Sequence, residues 1–438
     1  MRRPPGRARC AARALAATAL AVLVATACTT GGGAGERPGA GGGPRITVTP
    51  APGETSVPPN TPVRVSVEDG TVTDVRIEQV AHEELAGSGT ARTVSAGDGE
   101  ETSAAAEGEF GADRTLWVSD WNLRPGALVR VYATAEDGTG RETEVVSQFS
   151  TADVDGEHRL ELAANLPRTG DVVGVGMPVV VTFDQPVEYK RQVENSMEVT
   201  SEEVTEGAWN WLDDETAVFR PREYWEPHQS VSVDLRLAGV EAAEGVYGTR
   251  DRRIEFEVGR ELVATMHVPD HRMEVAVDGE TVRTIPVSNG KGLRRFNTTT
   301  SGIHVTMEKY ATLVMDSATV GIPKGSPGYY RLDVDWAVRT SNSGEFVHAA
   351  PWNAGNLGRA NASNGCTNMS VADARWFYER SLMGDLLVTT GTSRELEWDN
   401  GWGFYQRSWE EWLEHSVTGE PQVTDGSGTP GSVHGDDL

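Results

Sequence analysis

Short segments in which apolar and polar residues alternate, each ended by a turn, run from residue 45 to about residue 151. A period of two residues is typical of β-strands that bury one face, and several such strands in succession indicate an antiparallel sandwich. Asp137-Gly138 lies between the last two segments and favours a tight hairpin turn. The alternating segments are 45–49, 63–67, 72–80, 115–118, 128–135 and 143–149.

A second block, residues 152–258, repeats this pattern. Its segment 178–183 (Pro-Val-Val-Val-Thr-Phe) parallels segment 62–67 (Pro-Val-Arg-Val-Ser-Val) of the first block. We therefore predict two tandem immunoglobulin-like β-sandwiches, over residues 45–151 and 152–258. Neither block contains a group of residues that could carry out a reaction, so both are interpreted as spacers.

The third block, residues 259–392, opens with further strand-like pieces and includes a stretch rich in Gly and Pro between Met315 and Tyr330. A loop of that length is typical of a lid over a site. One convincing helix begins after Ser370, because Ser370 and Asp373 form a Ser-x-x-Asp capping pattern. The chain as a whole is therefore predicted to be mainly β, with a β-rich third domain and one main helix.

Four tryptophans mark the segment that follows, residues 393–418. Their spacing suits one helical face, and we expect them to pack against the third block; the alternative is a stripe that binds the cell wall. Residues 419–438 are rich in Gly, Ser, Pro and Asp and are predicted to be disordered. The tryptophans are Trp398, Trp402, Trp409 and Trp412.

The amino terminus is interpreted as a targeting segment rather than as part of a folded domain. Residues 1–27 join a basic start to an apolar run that is short for a permanent membrane helix, as in a secretory signal. The run ends in Ala25-Thr26-Ala27-Cys28, which resembles the lipobox of bacterial lipoproteins. This predicts a lipidated Cys28, a flexible tether over 28–44, and attachment to the outer face of the cell membrane. A plain signal peptide cut after Ala27 is the alternative.

Composition narrows the possible functions. The net charge of −26 argues against nucleic-acid binding, since phosphate backbones repel so acidic a surface. The three cysteines are too few for a disulfide framework, and they lack zinc-ligand spacing, so no metal is expected. With Cys10 in the signal and Cys28 at the mature terminus, Cys366 is the one thiol left for the folded part.

The residues around Cys366 suggest nucleophilic chemistry. Cys366 lies four residues before Ser370, the predicted start of the helix, where helix amides would favour a thiolate. His348 ends a predicted strand 18 residues earlier, and a Cys–His pair is the minimum for an acylating thiol. Gly365 permits close approach of a substrate, and the amides of residues 365 and 366 could hold an oxyanion. A buried cysteine with an unrelated histidine is the alternative.

The spacing of His348, 14 intervening residues, and then Ser363-Asn364-Gly365-Cys366-Thr367-Asn368 resembles the YkuD-type L,D-transpeptidases. The lipobox, the two immunoglobulin-like modules and the Trp-rich extension resemble the actinobacterial, mycobacterial-type members of that family. The resemblance covers about residues 28–415.

The resemblance implies an enzyme that cross-links peptidoglycan through a cysteine thioester and releases D-Ala. Cys366 would be the nucleophile, His348 its base, and the carbonyl of Ala349 the group that orients the histidine. Tyr330 of the lid would assist the amides of Gly365 and Cys366 at the oxyanion. The family needs no cofactor or metal, its partners are two peptidoglycan stem peptides, and its members are acylated by carbapenems.

Further residues are expected to shape or contact the substrate on the strength of the same resemblance. His304 has two interpretations: it faces the cleft, or it is a structural residue of a strand. The complete set is Met315, Trp352, Ser363, Asn364, Asn368 and His304.

One position departs from the family pattern, because Asn364 stands where the family usually has histidine. Asparagine forms hydrogen bonds but does not titrate near neutral pH, so any proton role of that histidine is absent. Two other functions therefore stay open: an L,D-carboxypeptidase-like hydrolase, in which water resolves the thioester, and a non-catalytic lipoprotein that binds peptidoglycan. Acceptor-site geometry separates the first from a transpeptidase, and ordinary thiol reactivity of Cys366 would favour the second.

Overall fold

A computed structural model describes residues 43–81, 108–320 and 322–428 of the chain. The predicted signal sequence, Cys28 and residues 28–42 of the predicted tether lie outside these ranges, as do residues 429–438. Within the described ranges, no helix is long and apolar enough to cross a membrane.

The first module is a sandwich of two antiparallel sheets, one of order β1-β2-β5-β4 and one of order β3-β6-β7. Strict alternation in β6 turns Val129, Val131 and Ala133 inward, where they meet Trp117 and Phe149. Each of the six predicted segments coincides with a strand to within one residue. The strands are β1 (Arg45–Thr49), β2 (Arg64–Glu68), β3 (Thr71–Ala81), β4 (Gly108–Phe110), β5 (Leu116–Ser119), β6 (Ala127–Glu136) and β7 (Glu142–Ser150).

The second module carries a four-stranded sheet of order β10-β18-β15-β12 facing the sheet β28-β13-β14-β11-β9, in which β28 (Gln422–Val423) comes from the end of the chain. Its centre is aromatic, with Trp209, Phe219 and Trp225 in contact. The elements are β8 (Arg159–Leu160), β9 (Leu162–Leu166), β10 (Val172–Val173), β11 (Val179–Phe183), α1 (Lys190–Asn195), β12 (Met197–Ser201), β13 (Glu206–Trp211), β14 (Thr216–Pro221), β15 (Gln229–Leu235), β16 (Glu241–Ala243), β17 (Val246–Gly248) and β18 (Arg252–Val258).

The third domain packs a five-stranded sheet, β21-β20-β19-β27-β22, against a four-stranded sheet, β23-β24-β25-β26. Its main helix, α2, begins as predicted, because Ser370 Oγ accepts a hydrogen bond from the Asp373 amide at 3.1 Å. The helix buries Phe377 in the core. The elements are β19 (Leu262–His267), β20 (Arg272–Val277), β21 (Glu280–Pro286), β22 (Gly302–Val305), β23 (Lys309–Asp316), β24 (Arg331–Arg339), β25 (Phe346–Ala349), β26 (Thr367–Met369), α2 (Val371–Arg380) and β27 (Leu386–Thr390).

The second module packs directly against the third domain, whereas the sequence suggests only a spacer. The amides of Gly174 and Gly176 donate to the carbonyls of Met383 and Gly384 at 2.8 and 2.9 Å. Val305 and Leu386 of the third domain belong to the same hydrophobic core as the second module. This shared core fixes the module against the five-stranded sheet of the third domain.

The Trp-rich extension packs on both neighbouring domains. Its first part bonds the third domain, as expected: the Leu396 amide donates to the Ser301 carbonyl at 2.8 Å, and Gln406 Nε2 donates to the Ile303 carbonyl at 3.3 Å. Its last part packs on the second module. Trp412, in helix α3 (Trp409–Glu414), is fully buried and donates from Nε1 to the carbonyl of Ala208 at 2.9 Å. Asn210 returns a hydrogen bond to the carbonyl of Trp412 at 2.8 Å. The burial of Trp412 argues against its membership in an exposed wall-binding stripe.

The prediction of disorder from residue 419 is wrong for the first part of that segment. Strand β28 (Gln422–Val423) pairs antiparallel with β13, with Gly207 opposite Gln422. Thr424 is buried and bonds Ser201 Oγ at 2.6 Å. The edge of β13 offers unpaired backbone groups that a polar segment can satisfy, which composition alone does not reveal.

Candidate active site

Two neighbouring parallel strands bring the predicted nucleophile and base to one surface. In the pairing of β25 with β26, His348 lies opposite Asn368, and Cys366 directly precedes β26. Side chains two residues apart along a strand point to the same face. Cys366, Asn368 and His348 therefore share a face of the sheet.

The hydrogen bonds of His348 fix its tautomer. Nδ1 lies 2.8 Å from the carbonyl oxygen of Ala349, an atom that only accepts, so Nδ1 carries the proton. Nε2 is left with its lone pair and accepts from the Asn368 amide at 3.0 Å. Burial lowers the pKa of His348 to about 4, and the Ala349 carbonyl only partly offsets this. His348 is therefore a neutral base near neutral pH.

The Cys366 thiol is buried and protonated. Its sulfur lies 3.6 Å from the carbonyl oxygen of Gly344, and the Phe346 amide also reaches it. Burial raises the pKa of Cys366 to about 12, and the charge of Glu345 raises it further. The expectation that helix amides favour a thiolate is wrong in this structure, because β26 separates Cys366 from α2 and desolvation dominates.

The loop that carries Cys366 is held by its own hydrogen bonds. Ser363 Oγ accepts the Gly365 amide at 3.1 Å and donates to the Cys366 carbonyl at 2.6 Å. The structure thus uses the Gly365 amide and the Ser363 hydroxyl inside the loop, contrary to their predicted oxyanion and substrate roles. Gly365 has a φ of +126°, a conformation that other residues rarely adopt.

The lid places a phenol beside the thiol. Tyr330 is anchored through its amide, which donates to Ser317 Oγ at 2.9 Å. Burial raises the pKa of Tyr330 to about 12, the nearby Cys366 raises it too, and a hydrogen bond from Asn364 opposes both. The hydroxyl is therefore a protonated donor near the sulfur. Met315 packs on the same apolar cluster as Cys366.

Comparison with known proteins assigns the chain to a family. The YkuD family, described as the L,D-transpeptidase catalytic domain, matches residues 262–390, and a bacterial Ig domain matches residues 88–241. L,D-transpeptidase 2 of Mycobacterium tuberculosis is 31% identical over 370 residues, which cover 84% of each chain. The chain belongs to the L,D-transpeptidase family.

Two further relatives of this L,D-transpeptidase family member extend the comparison. L,D-transpeptidase 5 of Mycobacterium tuberculosis is 32% identical over 384 residues, covering 86% of this chain and 78% of the relative. A solved structure of the LD transpeptidase LdtMt1 in complex with imipenem is 36% identical, covers 52% of this chain and 98% of that chain, and superposes with a TM-score of 0.46.

Asn364, the departure from the family pattern, connects the cysteine loop to its surroundings. Its side-chain amide bonds the Tyr330 hydroxyl, and its Oδ1 accepts from Lys291 Nζ at 3.5 Å. An asparagine provides a donor and an acceptor together, so it links Lys291 and Tyr330 without a titratable group. The residue thus holds the phenol in place beside Cys366.

Two other predicted substrate residues have contrasting positions. Trp352 lies at the rim, 57% exposed, with its ring 6.0 Å from that of His348 and inclined by 30°. His304 is 1% exposed and bonds Thr300 Oγ1 at 2.7 Å, so its prediction as a substrate contact is wrong and its structural interpretation applies. A second contact, from His304 Nδ1 to the carbonyl of Leu387 at 3.3 Å, holds the ring inside the domain.

Sequence reasoning missed residues that support the pair. Asn353 donates to Asn368 Oδ1 at 2.9 Å and thereby orients the amide that reaches His348. Thr299 Oγ1 donates to the Gly365 carbonyl at 2.6 Å. Glu345 lies under the same loop. The only signal for Glu345 in the sequence is the presence of an acidic residue at the start of a buried strand. Within the described residues, no cluster of His, Cys, Asp and Glu could hold a metal ion.

Proposed function

We propose that this family member is a peptidoglycan L,D-transpeptidase that forms 3→3 cross-links through an acyl-enzyme on Cys366. The observation that carries the proposal is the shared strand face, on which a neutral His348 with an unprotonated Nε2 accompanies the Cys366 thiol. A neutral base and a protonated thiol suit proton removal during attack rather than a preformed ion pair.

The first half-reaction transfers an acyl group to sulfur. His348 Nε2 takes the thiol proton while Cys366 attacks the carbonyl between the third residue of a stem peptide and its terminal D-Ala. The negative charge that develops on the carbonyl oxygen is stabilised by hydrogen bonds from the Cys366 amide and the Tyr330 hydroxyl. Collapse breaks the amide bond, His348 returns the proton to the departing amine, and a thioester remains.

The second half-reaction regenerates the thiol. The side-chain amine of a second stem peptide loses a proton to His348 and attacks the thioester carbonyl. The carbon–sulfur bond breaks, and the sulfur recovers the proton from His348. Asn368 suits both states of the ring, since its amide can donate to the neutral Nε2 or turn its oxygen toward Nε2–H.

We also propose that carbapenems acylate Cys366, since their strained lactam carbonyl offers the thiol an electrophile of the same kind. The imipenem complex of the LdtMt1 relative supports this. The proposed location is the outer face of the membrane, through lipid on Cys28, supported by the Ala25-Thr26-Ala27-Cys28 sequence. Incorporation of a labelled fatty acid in the wild type but not in Cys28→Ser would test the anchor.

The test of the reaction uses a fragment that begins at Gly43, the start of one compact unit. The fragment and its Cys366→Ala variant are incubated with a disaccharide tetrapeptide, and products are identified by mass spectrometry. We expect a cross-linked dimer with loss of D-Ala that depends on Cys366. Free tripeptide without dimer would identify the hydrolase, and unchanged substrate would favour a binding protein.

A further inference from the structure

A buried ion pair lies beneath the loop that carries the nucleophile. Glu345 Oε1 and Arg394 Nη1 are 3.6 Å apart, with side chains only 7% and 14% exposed. Arg394 belongs to the Trp-rich extension, so the extension contributes a cation to the interior of the catalytic domain. Neither charge has a role in the mechanism derived above.

The carboxylate of Glu345 is fixed by several donors. The Thr300 amide lies 3.1 Å from Oε1, and Thr300 Oγ1 donates to Oε2 at 2.6 Å. His304 Nε2 lies 3.6 Å from the same Oε2 and bonds the Thr300 hydroxyl. A buried carboxylate held by this many donors stays in one place.

Glu345 is linked to Cys366 through the backbone and through space. The carbonyl of Gly344 and the amide of Phe346, the two neighbours of Glu345, both contact the sulfur. A Cβ placed on Gly365 would lie 3.8 Å from Glu345 Oε1, so the carboxylate lies directly under the cysteine loop. Through space, the negative charge of Glu345 raises the pKa of the Cys366 thiol.

We propose that Glu345 and Arg394 are positioning residues that together set the reactivity of Cys366. Glu345 holds the strand that contacts the sulfur. Arg394 compensates the negative charge of the Glu345 carboxylate. Without Arg394, the carboxylate would oppose the negative charge that develops on sulfur during attack. Without Glu345, the guanidinium would favour that charge. The inference rests on Cys366 being the nucleophile of the proposed function.

Several other ionisable groups lie around the sulfur, and each is either neutral or in contact with a partner. His348 and Tyr330 are uncharged near neutral pH, as argued above. Arg339 lies over the ring of Phe346 at 4.7 Å and pairs with Glu308, while Arg394 has a second partner in Glu397 at 3.5 Å. Lys291 is a further cation at the loop, where its Nζ donates to Asn364 Oδ1 at 3.5 Å, but this contact is exposed to solvent. The Glu345–Arg394 pair is thus the charge pair that lies inside the domain beneath the cysteine loop.

The test measures the rate of alkylation of Cys366 by iodoacetamide at a fixed, near-neutral pH. Because thiolate content rises while intrinsic nucleophilicity falls, a decrease of about one unit in the thiol pKa raises this rate about threefold to fourfold. We expect Glu345→Gln to accelerate alkylation by that factor and Arg394→Gln to slow it. The double variant should return close to the wild-type rate.

Matched variants separate charge from damage to the fold. Arg394→Lys should keep the wild-type rate, and Arg283→Gln, which breaks the half-buried pair with Asp373 elsewhere in the domain, should leave it unchanged. Changes of the same sign in Glu345→Gln and Arg394→Gln, or no change in either, would overturn the proposal. Alkylation needs no peptidoglycan, so this result is independent of whether the cross-linking assay succeeds.

Discussion

Asn368 faces His348 across the parallel strands β25 and β26, and its side-chain amide donates to His348 Nε2 across 3.0 Å. With the Ala349 carbonyl on Nδ1, this contact fixes both ring nitrogens of a buried imidazole. The base of the proposed reaction is therefore oriented before any substrate arrives.

The first prediction concerns the chemistry of the side chain at position 368. Asn368→Ala should lower the rate of acylation by about tenfold, since a hydrogen bond of this kind contributes about 1 kcal/mol or somewhat more. Asn368→Asp should lower it further, because a carboxylate only accepts and would stabilise His348 with a proton on Nε2. Stopped-flow acylation by imipenem measures both rates.

The control for this prediction is Asn356→Ala. Asn356 contacts Asn353, which in turn contacts Asn368, so its loss should change the rate much less. An Asn368→Asp variant that is faster than Asn368→Ala would contradict the assigned tautomer.

The second prediction is a pH profile. His348, with a pKa of about 4, is the neutral base at higher pH, so acylation should be flat near neutrality and fall as pH drops through that value. Thiolate absorbance in the ultraviolet should be absent near neutral pH, since the pKa of Cys366 is about 12. A thiolate signal at neutral pH would show a preformed ion pair instead.

The same shift in His348 has a consequence for stability. The unfolded chain takes up this proton near the ordinary pKa of 6.5, and the folded chain only near 4. The contribution of this residue to the free energy of unfolding is therefore lost as pH falls between those values. Intrinsic fluorescence recorded alongside the acylation rates would separate loss of base from loss of fold.

The third prediction tests the replacement of the usual family histidine. Asn364→Ala should slow acylation by about tenfold, because Tyr330 loses the partner that holds its hydroxyl beside Cys366. Asn364→His should stay within a few-fold of the wild type, since imidazole can also bond the phenol. A large gain in Asn364→His would instead mean that the asparagine impairs the enzyme.

Much of the fold and of the candidate site can be predicted from the sequence, and the remainder depends on tertiary contacts. Alternation of apolar residues locates the strands of the first module, and the His348-to-Cys366 spacing identifies the pair. The pairing of residues 422–423 with β13 and the burial of Glu345 depend on groups distant in sequence. The hydrogen bond between the Gly365 amide and Ser363 depends on one loop's backbone angles, which the motif does not specify.

The fourth prediction concerns the Trp-rich extension. Trp412→Ala should lower the free energy of unfolding by about 3–5 kcal/mol, because it removes a fully buried indole and its bond to Ala208. Urea unfolding measures this loss, with Trp352→Ala at the exposed rim as the control. A stable Trp412→Ala protein that had lost binding to purified cell walls would restore the wall-binding interpretation.

The most direct test of the proposed reaction is the mass of the protein after brief exposure to a disaccharide tetrapeptide whose side-chain amine is blocked by acetylation, so that it cannot act as an acceptor, with rapid acid quenching. We expect one added acyl group with loss of D-Ala, carried by the peptide that contains Cys366 and absent from Cys366→Ala and His348→Gln. An adduct that persists in Cys366→Ala, or substrate turnover with no adduct on Cys366 at any time, would contradict it.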